Sequence, residues 1–184
     1  SYIPEFERDS GTQPNGDAVY RDAISVGLRY ERQFGNAWGM ALSAGFLGAN
    51  SPSGVTGGAS AEGYSLGVYV TVDAFTFGAS YASTDGNPSG GTETGQSLDG
   101  SGFDVGVSYT FGPTAISLSY YKGEVEDEVD TAGDSTNDSV MASVRHIVGP
   151  GVTAIASLLH TRFEEDDGDR NEGTALIGGI VLEF

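Results

Sequence analysis

Apolar and polar residues alternate along most of this chain in short segments. In each segment every second residue is aliphatic or aromatic, and the residues between them are mostly Gly, Ser or Thr. A period of two is the pattern of a β-strand whose two faces meet different surroundings. The alternation predicts about nine strands, which cover residues 24–34, 38–46, 64–72, 75–81, 103–111, 116–121, 140–148, 152–163 and 173–184.

The connections between these strands are alternately short and long. Long polar segments lie at about 48–63, 84–100, 123–138 and 164–172, and tight turns are predicted at Phe34-Gly35-Asn36-Ala37, Asp73-Ala74, Gly112-Pro113 and Gly149-Pro150-Gly151. This order puts all long loops at one end of the sheet, as in outer-membrane β-barrels. The apolar phase of most strands continues for nearly ten residues, the length that a tilted strand needs to cross a bilayer.

These patterns predict an all-β fold, a transmembrane antiparallel β-barrel. The competing fold is a soluble β-barrel, which is apolar inside and polar outside. The polar phase of this chain consists mainly of small residues, which are too small to fill a soluble core, so the membrane barrel is favoured. Between Val152 and Phe163 neither phase is clearly polar, and the sequence does not assign the faces of that strand.

Composition narrows the function classes. The 29 glycines argue against a helix-rich fold, and no run of apolar residues is long enough for a transmembrane helix. The absence of cysteine excludes disulfides and thiol chemistry. A formal charge of −18 disfavours nucleic-acid binding and suits a protein that meets divalent ions, cationic solutes or metal-bridged lipopolysaccharide.

Aromatic residues concentrate near both ends of the predicted strands. Barrels of the outer membrane carry such girdles at the two membrane interfaces. We expect one girdle at the tight-turn end and one at the long-loop end, formed by Phe34, Trp38, Phe75, Phe111 and Phe184 and by Phe46, Tyr64, Tyr81, Phe103 and Tyr120.

Charged residues in the polar phase are candidates for the wall of a pore. Arg29, Asp104 and Arg145 occupy that phase and are expected to set a transverse field and an ion preference. The alternative is that each is a solvated charge with little effect. Tyr69 and Tyr121 share the phase and are expected to line the pore or merely fill space.

Two acidic clusters fall in the predicted long loops. Their carboxylates are suitable ligands for calcium or magnesium, but neither cluster has the spacing of a calcium loop, so a solvated loop is the stronger expectation and no metal site or cofactor is assigned. The clusters comprise Glu124, Glu126, Asp127, Glu128 and Asp130, and Glu164, Glu165, Asp166, Asp167 and Asp169.

Strand direction poses a problem of parity. The first and last predicted strands both run from a long loop to the tight-turn end, so they are parallel and cannot close an antiparallel barrel. We therefore expect missing strands before Ser1, with Ser1–Pro4 as the loop-side end of the preceding one.

Four segments carry a resemblance to a known family: Ser1–Pro4, Phe103–Tyr109, Gly149–Thr153 and Leu182–Phe184. With them the chain resembles, over its whole length, the trimeric general porins of Gram-negative bacteria, most closely the alphaproteobacterial branch. The resemblance implies a barrel of about sixteen strands, of which residues 1–184 form the C-terminal part of a single barrel domain. The N-terminal strands and the family's inward-folded constriction loop would be absent.

The resemblance also implies partners and a location. It implies a homotrimer in the outer membrane, in contact with lipid and lipopolysaccharide, and a terminal strand read by the barrel-assembly machinery through Phe184, Leu182 and Ile180. The expected function is passive diffusion of small hydrophilic solutes and ions, with a preference for cations because the mouth is acidic.

Two other functions are weighed against this one. The first is a structural or adhesive barrel whose loops bind a partner. The second is an outer-membrane barrel hydrolase, but His146 and His160 fall near opposite ends of their strands, which disfavours a shared catalytic site, and we expect no enzyme.

Overall fold

A computed structural model describes residues 2–6, 20–35, 38–50, 61–86, 99–126, 134–165 and 169–183 of the chain. In these residues ten strands form one sheet, in which each strand pairs antiparallel with its neighbours in chain order. The strands are β1 (Tyr2–Phe6), β2 (Tyr20–Phe34), β3 (Trp38–Asn50), β4 (Ala61–Val72), β5 (Phe75–Gly86), β6 (Gly100–Phe111), β7 (Thr114–Glu126), β8 (Asp134–Gly149), β9 (Val152–Glu164) and β10 (Arg170–Leu182). The predicted all-β, barrel-type fold is confirmed.

The nine strands predicted from the alternation correspond to β2–β10. The tenth strand, β1, lies where the sequence indicated the end of a preceding strand, and it pairs with the loop-side end of β2 through Tyr2 opposite Ile24 and Phe6 opposite Tyr20. Several strands extend further towards the long loops than predicted. In those extensions most residues of both faces are polar or small, so the alternation disappears while the backbone ladder continues.

The tight turns depend on residues with positive φ. Gly35, Asp73, Gly112 and Gly151 have φ between 51° and 68°. In the Pro150-Gly151 turn, proline followed by a glycine with positive φ is the sequence of a type II turn. A Cβ on Gly151 would also collide with the carbonyl oxygen of Glu183, whose own N–H donates to the carbonyl oxygen of Gly151 at 2.8 Å. Only glycine fits both conditions.

The register divides every strand between two faces of the sheet. We call one the polar face; its central row runs across the strands through Arg29, Ser43, Gly67, Ser80, Asp104, Tyr121, Ser139, Thr161 and Gly173. The other, which we call the apolar face, includes the row Arg32, Met40, Val70, Phe77, Val107, Leu118, Ala142, Leu158 and Leu176.

The sheet has no packed interior among the described residues. Ala41 is the one buried hydrophobic side chain in that part of the chain, at 6% exposure, whereas Leu176 on the apolar face is 80% exposed. A single layer with its large apolar side chains outward cannot be stabilised in water by a core. No helix in the described residues has the length and hydropathy to span a bilayer.

The uncharged stretch of the apolar face on a strand is long enough to cross the hydrocarbon layer of a membrane. On β4, ten positions separate Val72 at the turn end from Glu62, the first charged residue of that face, and the interval between Leu182 and Glu172 on β10 is also ten. At about 3.3 Å per residue and a tilt of about 40°, ten residues rise about 25 Å, which is the height of the apolar band of outer-membrane barrels.

Candidate functional site

The polar face of β2–β7 is built from small residues with a few charges. From Ser25 to Val125 its described positions are mainly Gly, Ser, Thr and Ala, and the exceptions among aliphatic residues, Leu47 and Val125, lie at the loop ends. Arg29 and Asp104 share one row of this face, four strands apart. With about 4.8 Å between neighbouring strands, the two charges are separated by about 19 Å along the sheet.

Both charges are held by near neighbours. The Arg29 guanidinium forms an ion pair with the carboxylate of Glu31, two residues along the same strand and on the same face. Ser80, directly opposite Asp104 on β5, donates a hydrogen bond from its hydroxyl to the Asp104 carboxylate. A shallow cavity of about 440 Å³ extends from Arg29 to Asp104, and Gly67, which has no side chain, lies between them.

The two predicted tyrosines also lie on the polar face. Tyr121 lies next to Asp104 on β7, and its phenol covers Gly102 and Gly123, where a Cβ would approach the ring within 3.2 Å or less. The two glycines therefore form a slot that holds Tyr121 against the sheet. Tyr69 lies one row nearer the turns, opposite Ala41 and Gly78, and remains exposed.

The polar face of β8–β10 differs from that of β2–β7. The register with β8 assigns the faces of β9, which the sequence left open: Ser143 and Ser157 face each other with 2.8 Å between their hydroxyl oxygens, as do Ser139 and Thr161. On the same face, β8–β10 carry six large aliphatic residues that we call the aliphatic patch: Met141, Ile147, Ile155, Leu159, Ile177 and Val181. Four of them are exposed, and Ile155 and Leu159 are half-buried.

Arg145 lies inside this patch. Ala115 on β7 and Ile155 on β9 are directly opposite it, and Ile147 follows it on its own strand. In the described part of the chain Arg145 has no ion pair, in contrast to Arg29. Arg145 is in the polar phase, as predicted from the sequence, but the patch around it was not predicted. The apolar residues Ile177 and Val181 in the same phase were the available signal.

The predicted aromatic residues lie on the apolar face in two groups. At the turn end, the rings of Phe34 and Trp38 stack at 3.9 Å between centroids, and Phe75 contacts Tyr109 at 4.7 Å. At the loop end, Tyr64 pairs with Tyr81 and Phe103 pairs with Tyr120, each at 5.9 Å. Phe46 and Phe111 belong to the same face. Phe184 lies outside the described residues, and Ile180 and Leu182 are exposed on the apolar face of β10.

Charged residues with ion pairs border the apolar face at the loop end. Lys122 contacts Glu124 at 2.8 Å, and Arg162–Glu164 and Arg170–Glu172 repeat the same spacing of two along a strand. Several of their neighbours across the strands are oppositely charged or polar, as with Asp138 between Lys122 and Arg162. The sequence analysis did not single out this border.

Half of the predicted metal-loop residues fall outside the described part. Asp127, Glu128, Asp130, Asp166 and Asp167 are not described, and Glu126 ends β7. Glu124 and Glu164 lie in the charged border, and the backbone N–H of Glu165 donates to the carbonyl oxygen of Asp169 at 2.8 Å. The described residues contain no group of three or more ligating side chains that could hold a metal ion.

The two histidines lie on the apolar face and contact different threonines. His146 Nδ1 is 2.8 Å from Thr114 Oγ1, and His160 Nδ1 is 2.9 Å from Thr174 Oγ1. Val140, directly opposite His160, lies six residues from His146 on β8, so the two rings are about 20 Å apart along the strand direction. The structure therefore does not bring them into one site.

Comparison with known proteins gives a family and a fold. The model of a family described as Gram-negative porin matches residues 4–166. An outer membrane protein of Vibrio cholerae, OmpT folded in vitro and in its trimer form, superposes with a TM-score of 0.54 at 14% identity, over 98% of this chain and 80% of that one. A second structure of the same protein gives a TM-score of 0.54 at 14% identity, over 98% and 79%. Among curated proteins no sequence match is found.

Proposed function

The chain belongs to the Gram-negative porin family of the outer membrane, and on that premise we propose that its polar face lines a water-filled channel for passive diffusion of small hydrophilic solutes and ions. The observation that carries this proposal is the division of one sheet into two faces. On β4 and β10 the apolar face is uncharged over about 25 Å of height, and the polar face presents Gly, Ser and Thr with isolated charges. Diffusion through such a channel requires no cofactor and no catalytic group.

Conductance in planar lipid bilayers tests the channel directly. We expect stepwise, salt-dependent conductance from the purified protein, because a wet polar face conducts ions in proportion to their concentration. A structural or adhesive barrel would give a folded, membrane-inserted protein without conductance steps, and that result would refute the proposal.

The channel is further proposed to prefer cations. Acidic side chains concentrate at the loop ends of the strands, with Glu62, Asp85, Glu124 and Glu165 among those described, whereas the described turn end has few. A mouth of this charge raises the local concentration of cations and lowers that of anions. A reversal potential that indicates anion preference in a KCl gradient would contradict it.

We also propose that further strands complete the barrel. In the described part, β1 covers only the loop-side end of β2, so the edge of β2 from Val26 to Phe34 has no strand partner, and the outer edge of β10 has none either. An open sheet edge is not tolerated in the hydrocarbon region, which supports completion as a larger barrel of about sixteen strands. Limited proteolysis of the native membrane protein with intact-mass measurement tests this, since a barrel of these ten strands alone would have to pair the parallel strands β2 and β10 and would give no protected fragments beyond residues 1–184.

The assembly state and the lipid partners are proposals of the same kind. The trimer form of the Vibrio cholerae protein supports a homotrimer, and the charged border of β7–β10 supports contact with lipopolysaccharide headgroups, directly or through bound calcium or magnesium. Recognition of Phe184, Leu182 and Ile180 by the assembly machinery stays a proposal too. Native mass spectrometry in detergent, with and without a chelator, would measure the subunit number and any retained lipopolysaccharide.

A further inference from the structure

The aliphatic patch is unexpected on a face that meets water. A wet wall needs no large aliphatic residues, and the polar face of β2–β7 has almost none. In the patch, Ile177 is 52% exposed and Ile147 47%, so neither is covered by the rest of the described sheet. Exposed apolar groups gathered at one place on a channel wall provide a surface on which an apolar part of a solute is removed from water.

Among the polar groups within the patch, one charged side chain, Arg145, is available to bind a solute. The hydroxyls of Ser143 and Ser157 are engaged with each other at 2.8 Å, and so are those of Ser139 and Thr161. Arg145 is different, because it has no carboxylate partner in the described residues. A guanidinium without a partner is a binding group for a carboxylate.

The distances match a small amphiphile. Arg145 and Ile155 are directly opposite each other on neighbouring strands, where Cβ atoms are about 5 Å apart. The pair Ser157–Ile177 lies in the next row towards the loops, and the pair Thr153–Val181 lies in the next row towards the turns. An anion bound to the Arg145 guanidinium therefore has an aliphatic side chain in each of the two adjacent rows, Ile177 towards the loops and Val181 towards the turns.

From this arrangement we infer that the polar face of β8–β10 is a subsite for small amphiphilic organic anions, in which Arg145 binds the carboxylate and the aliphatic patch contacts a short alkyl chain. The inference rests on the proposed channel and adds to it a class of solute. Contact on an open wall is weak, which is what transport requires, since a solute must also leave. The acidic mouth disfavours entry of the anion, so the subsite acts on solutes that have already entered the lumen.

Block of the channel current measures this subsite. With the full chain in planar bilayers, sodium acetate, propionate, butyrate and hexanoate are added to a KCl solution and the half-blocking concentration is recorded. We expect that concentration to fall about twofold for each added methylene, because a methylene half removed from water gains about half of its transfer free energy. Hexylammonium, which has the same chain and the opposite charge, should block less than hexanoate.

Variants assign the effect to named residues. The double change Ile155→Ser and Ile177→Ser should remove the dependence on chain length, while Arg145→Gln should raise the half-blocking concentration of every alkanoate about threefold and keep the length dependence. Leu47→Ser is the matched control, because it replaces an aliphatic residue of the same face outside the patch. If the double variant does not insert, Ile177→Thr keeps the branched Cβ and should reduce the length dependence partially.

The outcomes distinguish a failure of the proposed subsite from a failure of the proposed channel function. A conducting channel whose block does not depend on chain length, or whose length dependence survives in the double variant, overturns the subsite and leaves the porin channel intact. Equal block by hexylammonium and hexanoate overturns the role of Arg145. A protein that inserts but shows no conductance refutes the channel itself, and the subsite with it.

Discussion

The walls of β2–β7 and β8–β10 have the same backbone and different surfaces. Both are antiparallel ladders of about twelve to sixteen residues per strand, with one register shift in each, at Arg21/Ile24 and at Ile147/Gly149. In β2–β7 the two faces contrast strongly, whereas β10 carries Leu176 and Ile180 on one face and Ile177 and Val181 on the other. The comparison shows that the alternation of apolar and polar residues identifies the two faces of a membrane strand only where the lumen-facing side carries no large apolar residues.

The largest expected effect tests the faces of β10. Leu176 and Ile177 are adjacent and point to opposite faces, near the middle of the apolar band. Leu176→Arg should lower the free energy of unfolding by about 2–4 kcal/mol, because it places a charge against lipid, whereas Ile177→Arg should cost less than about 1 kcal/mol if it faces water. Guanidinium unfolding in phospholipid vesicles, followed by tryptophan fluorescence of Trp38, measures both. Equal losses in the two variants would show that this wall has no wet side.

The second effect concerns the turn that joins β9 to β8. Gly151→Ala forces a side chain into positive φ and into the carbonyl oxygen of Glu183, so we expect a loss of about 1–2 kcal/mol or more in the free energy of unfolding. Gly149→Ala in the same turn is the matched control, because a Cβ there meets nothing within 4 Å. The same unfolding assay applies. If both variants were equally stable, the close approach of β10 to this turn would be wrong.

Much of the contrast between the two faces can be predicted from the sequence. The period of two predicted β2–β10 and the faces of β2–β7, because small polar residues there alternate with aliphatic and aromatic ones. The Arg29–Glu31 ion pair also follows from that period, since residues two apart share a face. The faces of β9 did not follow, because Ile155 and Leu159 make both phases apolar. They are fixed by pairing with β8, which brings Ser143 opposite Ser157.

The candidate site was predictable residue by residue but not as an arrangement. Arg29, Asp104 and Arg145 were identified from their phase alone. Whether a charge has a partner depends on the neighbouring strands, whose register a single sequence does not determine. Asp104 thus accepts a hydrogen bond from Ser80, 24 residues earlier in the chain, while Arg145 lies directly opposite Ile155 of β9.

The third effect compares the arginines of the two walls. Arg145→Gln should raise the ratio of potassium to chloride permeability about sevenfold, because an unpaired charge about 7 Å away in water contributes about 0.6 kcal/mol, unfavourable for potassium and favourable for chloride. Arg29→Gln should change the ratio less, since Glu31 already compensates the Arg29 charge. Reversal potentials in a KCl gradient give both values. A larger change from Arg29→Gln would mean that the ion pair, and not the unpaired arginine, determines the field.

The smallest expected effect tests whether the polar face of β8–β10 is in contact with water. Ser143→Ala removes the hydrogen bond to Ser157. On a wet wall, water replaces the lost partner and the free energy of unfolding should fall by only about 0.5 kcal/mol. Beneath a protein segment that excluded water, the Ser157 hydroxyl would be left unsatisfied, at a cost of about 1–3 kcal/mol. Unfolding of Ser143→Ala beside the double variant Ser143→Ala with Ser157→Ala separates the two cases. On a wet wall the single and double variants have nearly the same stability, whereas on a covered wall the second substitution restores part of the loss, because it removes the unsatisfied group.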